Sequence, residues 1–365
     1  MKLIICGDIS ITEESSPFFS KINPRGAFND VVDVYKKADR VIVNLECATT
    51  ESTNEIYKFG PCLKAPLNTA KTLKAAGVTD CALSNNHIFD FGKEGLYDTI
   101  REVEAAGLNY TGIGENYEDS RRDMIINHPD VKIAVINVCE HEYSYAIENR
   151  CGARPCDPFE TMHDIRMAKK DADKVIVILH GGKELCRYPS PRLIKECREM
   201  VRCGADIVLC QHSHIIGCCE EFEGGHILYG QGNFHFARSF KPESWNEGLM
   251  AEIDITKEGF TVNYIPVVAE SGAIRLADKD RKEKILSDMA KRNEELKNGE
   301  WKKGWEAFCV SEEGHPDWYR GVLERLDLND AHSVENFAHY LDCEAHLDVW
   351  KQTYQTANMT NELDK

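Results

Sequence analysis

The chain has 365 residues with 61 acidic and 44 basic side chains, a formal net charge of -17; this argues against a nucleic-acid partner, which needs a basic surface. Hydrophobic residues make up 42% and charged residues 29%, enough for a packed core and too apolar for wholesale disorder. The length suits one large α/β domain with an appendage.

The apolar run at residues 3–6 reads as a buried strand and is too short for a signal peptide. No stretch approaches the roughly 20 apolar residues of a membrane helix, so a cytoplasmic protein without a membrane anchor is expected. Phe28, Val31, Val32 and Tyr35 recur at helical spacing. Residues 41–45 form the next expected strand, 67–76 a helix ended by Gly77, and 79–83 a strand. Leu96, Ile100 and Val103 mark a helix that Gly107 closes. Residues 131–138 and 175–179 are β-branched strands flanking a helix over 157–171. A helix over 193–201, then strands at 207–210 and 227–229, follow. Residues 252–256 and 261–268 alternate around Lys257-Glu258-Gly259, a hairpin signal. After about Ala277 the chain turns charge-rich and helical, and Trp301, Trp305, Trp318 and Trp350 fall there. Residues 1–276 are thus expected as the main domain. Residues 277–365 are expected as a helical extension, packed on that domain or serving as an oligomer contact. The 15 cysteines are odd in number and form no CxxC pair, which suits free thiols in a reducing compartment; adjacent Cys218 and Cys219 read as structural.

Six apolar runs each end in a polar cluster: Gly7-Asp8, Asn44-Leu45-Glu46, Ser84-Asn85-Asn86-His87, His180-Gly181-Gly182-Lys183-Glu184, Gln211-His212-Ser213-His214 and Gln231-Gly232-Asn233. In α/β sheets the carboxyl ends of strands open into one crevice, so clusters far apart in sequence can converge. Carboxylate, imidazole and amide oxygen suit manganese, iron or zinc. Taken singly, Gly-Asp is most often a turn, His180 a satisfied core histidine and the Asn-rich segment a loop. His212 and His214 share one side of a segment if it is extended. Glu46 is the oddest, because a buried carboxylate needs a partner. Six such coincidences together point to a centre of Asp8, Glu46, Asn86, His180, His212 and His214.

Gly7-Asp8, Asn44-Leu45-Glu46, Ser84-Asn85-Asn86-His87 with Asp90 and Gly92, His180 with Gly182 and Glu184, Gly204-Ala205-Asp206, His212 with His214, and Gly232-Asn233-Phe234 together resemble the CapA family. These are capsule or poly-γ-glutamate biosynthesis proteins related to calcineurin-like metallophosphoesterases. The resemblance covers roughly residues 1–268. It implies a four-layer α-β-β-α sandwich. It also implies two divalent metals, one on Asp8 and His214, the other on Asn86, His180 and His212, with Glu46 bridging. His87 would be general acid or transition-state stabiliser, oriented by Asp90; Asp90 is equally readable as a helix start. The implied reaction is attack of metal-held hydroxide on a phosphoester or γ-glutamyl amide. The alternative is a non-catalytic, metal-containing accessory protein for an anionic envelope polymer or its precursor. A nucleotidase or cyclic-nucleotide phosphodiesterase reading rests on fold kinship alone; Phe89, Phe91 and Phe234 are candidates for a stacking slot, but core packing explains all three.

The chain departs from the pattern at Ser10, where metallophosphoesterases usually place a histidine, and at Gly181, where family members often have an aromatic residue. Lys64, Lys183, Glu184, Asn233 and Arg238 are the residues expected to meet an anionic small-molecule or γ-glutamyl substrate. Glu140-His141-Glu142 follows the strand at 131–138 and is expected to be a solvated loop, with lining of the same cleft as the alternative. His339, Cys343 and His346 are at helical spacing and are expected on a polar helix face, with a metal site as the lesser alternative.

Overall fold

The computed structural model describes residues 1–311 and 316–363. Residues 312–315 and 364–365 of the expected tail, and the side chain of Trp318, lie outside the described residues.

Two sheets form the centre. The first runs in the order Ala273–Leu276, Phe260–Glu270, Glu247–Ile255, Lys2–Ile9, Arg40–Leu45, Asp80–Ala82, Asn109–Thr111. Its last four strands are parallel, and the short strand Asn233–His235 pairs with Lys2–Ile9. The second runs Cys219–Phe222, Gly225–Leu228, Ile207–Gln211, Lys174–His180, Val131–Cys139, Met124–His128, with antiparallel edges. Strand alternation builds three apolar layers. Leu3 and Ile5 meet Ile176 and Ile178 between the sheets, Ile4 and Cys6 face the helices of the first sheet, and Val175, Val177 and Leu179 face those of the second. Burial on both faces is why these strands read as continuous apolar runs. The result is the expected four-layer α-β-β-α sandwich.

Local signals explain most boundaries. Ser190 accepts from Leu193 N ahead of Pro191–Arg202, and Asp157 caps Pro158–Asp171, each with proline in the first turn. Gly77 ends Thr69–Ala76 with φ 111°. The periodicity across Phe28–Tyr35 is not one helix: Asn29, at φ 42°, separates Pro24–Phe28 from Val31–Tyr35. All 15 cysteines are free thiols. No described helix is long and apolar enough to cross a membrane.

The tail comprises Lys279–Asn298, Trp301–Cys309, Pro316–Glu324, Ala331–Asp342 and Glu344–Leu363. Trp301, Trp305, Phe308, Tyr319, Tyr340 and Val349 join the apolar cluster on the outer face of the second sheet, so these helices pack on the main body.

Below the strand ends the sheets are stitched together. Gln231 Nε2 donates to Ile5 O (2.7 Å) and Leu249 O (2.9 Å), and Gln211 Nε2 donates to Cys6 O (3.0 Å). Gly7 passes so near this seam that a Cβ there would lie 2.4 Å from Gly232 O.

Candidate metal centre at the strand ends

The first sheet delivers Asp8, Glu46 and Asn86, and the second delivers His180, His212 and His214, all six buried. Glu46 and Asp8 are 0% exposed. His180 Nε2 lies 2.9 Å from Asn86 Oδ1, 3.1 Å from His212 Nδ1 and 3.4 Å from Glu46 Oε1. His214 Nε2 lies 4.0 Å from Glu46 Oε1, and its Nδ1 is 3.6 Å from Asp8 Oδ2. Glu46, His212 and His214 place one ligand atom each within 4.8 Å of the others.

A network of carboxamides holds these donors. Asn44 Nδ2 donates to Asp8 Oδ1 (2.7 Å), and its Oδ1 accepts from Asn85 Nδ2 (3.0 Å). Asn85 Oδ1 in turn accepts from His87 N, which shapes the turn carrying Asn86. His212 N donates to Asp8 Oδ2 (3.0 Å). His212 and His214 share a site for a reason other than the expected extended segment. Both have left-handed backbones, φ 82° and 57°, a strained geometry for histidine that a functional site sustains.

The residues fit a divalent cation. Neither oxygen of the Glu46 carboxylate has a hydrogen-bond partner among the described residues, although buried carboxylates are normally satisfied. Burial, together with Asp8 beside it, pushes that carboxyl up to about 7. Burial pushes His180 down to about 4, keeping it in the neutral form that ligates metal. At His214 burial opposes protonation, yet Glu46 and Asp8 outweigh it and hold the imidazole at about 9. One carboxylate with unused lone pairs amid nitrogen and oxygen donors is the donor set of a hard to borderline metal.

His87 stands at the rim. Its Nδ1 is 2.6 Å from Asp90 Oδ2, which leaves Nε2 for the cavity. Asp90 Oδ2 also accepts from Leu63 N (2.7 Å). Burial disfavours its charge, but His87 and Lys58 outweigh that and lower its pKa. The cavity has a volume of about 330 Å³ and includes Lys58, Glu142, Lys183, Glu184, His339 and His346 in its lining.

Four expected substrate contacts take different places. Glu184 lines the cavity, its carboxylate 3.7 Å from His214 Nε2. Asn233 is a buried positioning group: its Oδ1 lies 2.9 Å from His214 Nδ1 while its Nδ2 donates to Trp245 O. Lys64 is not brought to this cavity; its ammonium donates to Ser52 O and covers the Phe91 ring. Arg238 lies with Glu14 and Arg275 in a separate crevice.

Two expectations are corrected. Glu140-His141-Glu142 is no solvated loop. Glu140 is buried, accepts from Gly182 N (3.0 Å) and pairs with Arg192, while Glu142 Oε2 accepts from Asn86 Nδ2 (2.6 Å). His339, Cys343 and His346 do not lie on a solvated helix face, because tail packing turns His339 and His346 to the cavity and buries Cys343 beside Glu142. Lys58 carries no sequence signal, yet its buried ammonium bonds Asp90 (2.7 Å) and Asn86 O (3.1 Å).

Residues 2–238 match the family model described as bacterial capsule synthesis protein PGA_cap. The chain is 30% identical over 245 residues to the capsule biosynthesis protein CapA of Bacillus anthracis, spanning 65% of this chain and 60% of that one. It is 28% identical over 273 residues to the PGA biosynthesis protein CapA of Bacillus subtilis, spanning 72% and 71%. Among solved structures, a 5′-nucleotidase from Candida albicans overlays with a TM-score of 0.39 at 9% identity, covering 72% of this chain and 50% of that one. The family match spans the segments that supply all six strand-end donors, and the chain belongs to the bacterial capsule synthesis PGA_cap family.

Proposed function

We propose that the chain is a metal-dependent hydrolase of capsule or poly-γ-glutamate metabolism, cleaving a phosphoester or γ-glutamyl amide. The observation that carries this reading is the Glu46 carboxylate, fully buried, without a hydrogen bond among the described residues and ringed by Asp8, His180, His212 and His214. Asp8 and His214 would hold one ion and Asn86, His180 and His212 a second, with Glu46 available to both. Two divalent ions in such a site supply Lewis-acid polarisation and a nucleophile at neutral pH.

The chain's own groups do the rest. His87, fixed through Nδ1 by Asp90, presents Nε2 to the cavity, from where a proton reaches a departing alkoxide or amine. Lys183 places positive charge at a cavity within an acidic molecule, which suits an anionic substrate, while Lys58 in the same lining is buried and paired with Asp90. Glu142 turns the Asn86 carboxamide so that its oxygen faces His180.

A screen of the manganese- and zinc-loaded protein against phosphoesters and γ-glutamyl oligomers tests this. Turnover that falls in His87→Asn supports the assignment, and turnover indifferent to that change removes it. One observation favours a second reading, a binding protein that keeps its metal for anion capture. The position two beyond Asp8 is the buried Ser10, whose N donates to His235 O, so the first ion would have His214 as its one histidine, one nitrogen fewer than the usual pattern. Tight binding of γ-glutamyl oligomers without turnover decides for that alternative.

A further inference from the structure

The tail does more than cover the main body. Glu142, Cys343 and His346 present a carboxylate oxygen, a thiol sulfur and an imidazole nitrogen that all lie within 4.8 Å of one another. We propose that these three side chains form an additional divalent-cation site of zinc type, separate from the strand-end donors and completed by the tail. This inference does not depend on the reaction proposed above.

The chemistry of the cluster is that of a borderline-soft site. Zinc is held by combinations of cysteine, histidine and carboxylate, usually four donors in structural sites. Cys343 is 0% exposed and its Sγ lies 3.3 Å from Glu142 Oε1. Tyr319 Oη is 2.9 Å from His346 Nδ1, which fixes the ring and leaves Nε2 for an ion, the outer-shell arrangement of a ligating histidine.

A second observation points the same way. His339 is more than nine-tenths buried, and its Nδ1 has no hydrogen-bond partner among the described residues. Its ring stacks on Tyr143 at 4.5 Å and meets the His346 ring edge-on at 5.0 Å, along the same cavity wall. An unsatisfied buried imidazole nitrogen is costly in a settled structure. His339 borders the three donors without sharing their 4.8 Å spacing, so it is a polar wall of the site and the three donors carry it.

The site adjoins the strand-end centre. Glu142 Oε2 accepts from Asn86 Nδ2, and its Oε1 is 3.8 Å from His212 Nε2. An ion on Glu142 therefore fixes the carboxylate that orients Asn86, and ties Ala331–Asp342 and Glu344–Leu363 over the cavity. Binding converts the Cys343 thiol to a thiolate, with its proton released to solvent.

Cobalt(II) titrated into metal-free full-length protein separates the two centres, because the strand-end donors contain no sulfur. The wild type is expected to develop thiolate-to-cobalt charge-transfer absorption in the near ultraviolet. Cys343→Ser is expected to lose that band and one equivalent of cobalt, and His346→Gln to weaken it. Glu46→Ala is expected to keep the band while losing strand-end metal, so failure of one centre is distinguishable from failure of the other. A cobalt-saturated wild type without the band, or a band unchanged by Cys343→Ser, overturns the proposal; the wild-type result decides even where a variant does not fold.

Discussion

The floor of the cavity consists of strand ends, where Asp8, Glu46, Asn86, His180, His212 and His214 are held by backbone and carboxamide bonds inside two stitched sheets. The roof consists of helices that reach the body through side chains: Trp305 in the outer core, Asp348 on Ser190 and Arg192, Glu344 on His141, and Asp342 on Tyr145. A floor of this kind fixes donor positions to within the rigidity of the sheets. A roof of this kind can loosen while the sheets persist. Chemistry and access are therefore separable in this molecule, and substitutions on the two sides should differ in kind.

The largest expected effect is at the floor's edge. His87→Asn should lower kcat on a validated substrate by about 10²–10⁴-fold, the usual contribution of a positioned acid or base, with metal content unchanged. Loss of metal together with activity would make His87 a structural support instead. On the roof side, Trp305→Ala should destabilise the fold by about 3–5 kcal/mol, because a core tryptophan 1% exposed leaves a cavity behind. Hydrogen exchange should show protection lost first in the tail helices; uniform loss across both sheets would mean that floor and roof unfold as one.

A smaller effect separates donors from their supports. Asn233→Ala removes the oxygen 2.9 Å from His214 Nδ1 and should weaken metal binding by about 10–100-fold, the range for outer-shell partners. Competition against a fluorescent chelator measures this, and an unchanged affinity would show that His214 needs no such support.

The smallest effect is the pH dependence of the clasp between His141 and Glu344. Burial opposes charge on His141, but Glu344 outweighs it and raises the imidazole above its usual 6.5. Burial likewise opposes charge on Glu344, and His141 outweighs it and lowers that carboxyl below 4.5. The histidine's contribution is full below pH 6.5 and fades as pH rises through its raised value. The carboxylate's is full above pH 4.5 and fades as pH falls through its lowered value. Roof docking should therefore be firmest between these limits, and limited proteolysis of the tail should quicken on the alkaline side. His141→Gln should flatten that alkaline trend; a trend of equal steepness would assign it to other groups.

The same division governs what the sequence discloses. Each floor donor follows an apolar run, so a strand-end position can be read directly from residues such as Val41–Glu46 or Ile207–His214. The layered sandwich is legible for the same reason, since strands buried on both faces carry unbroken apolar runs. The roof has no such marker. His339, Cys343 and His346 have the spacing of any helix face, and only packing of the tail on the second sheet turns them inward. Lys58 lies in a stretch without periodicity, and its partners Asp90 and Asn86 are about 30 residues away, so long-range closure alone reveals it. Glu142 is half legible: it closely follows the strand Val131–Cys139, in the same strand-end position as the other donors, which is why cleft lining stands as the alternative to a solvated loop.

Metal content by elemental analysis, comparing the wild type with a Glu46→Ala, His212→Ala double variant after reconstitution with manganese or zinc, tests the strand-end centre most directly. The wild type should hold about two more divalent ions per chain than the double variant, as a paired site requires, with circular dichroism showing both folded. Equal metal content in the two proteins would contradict the assignment of the strand-end cluster as a metal centre.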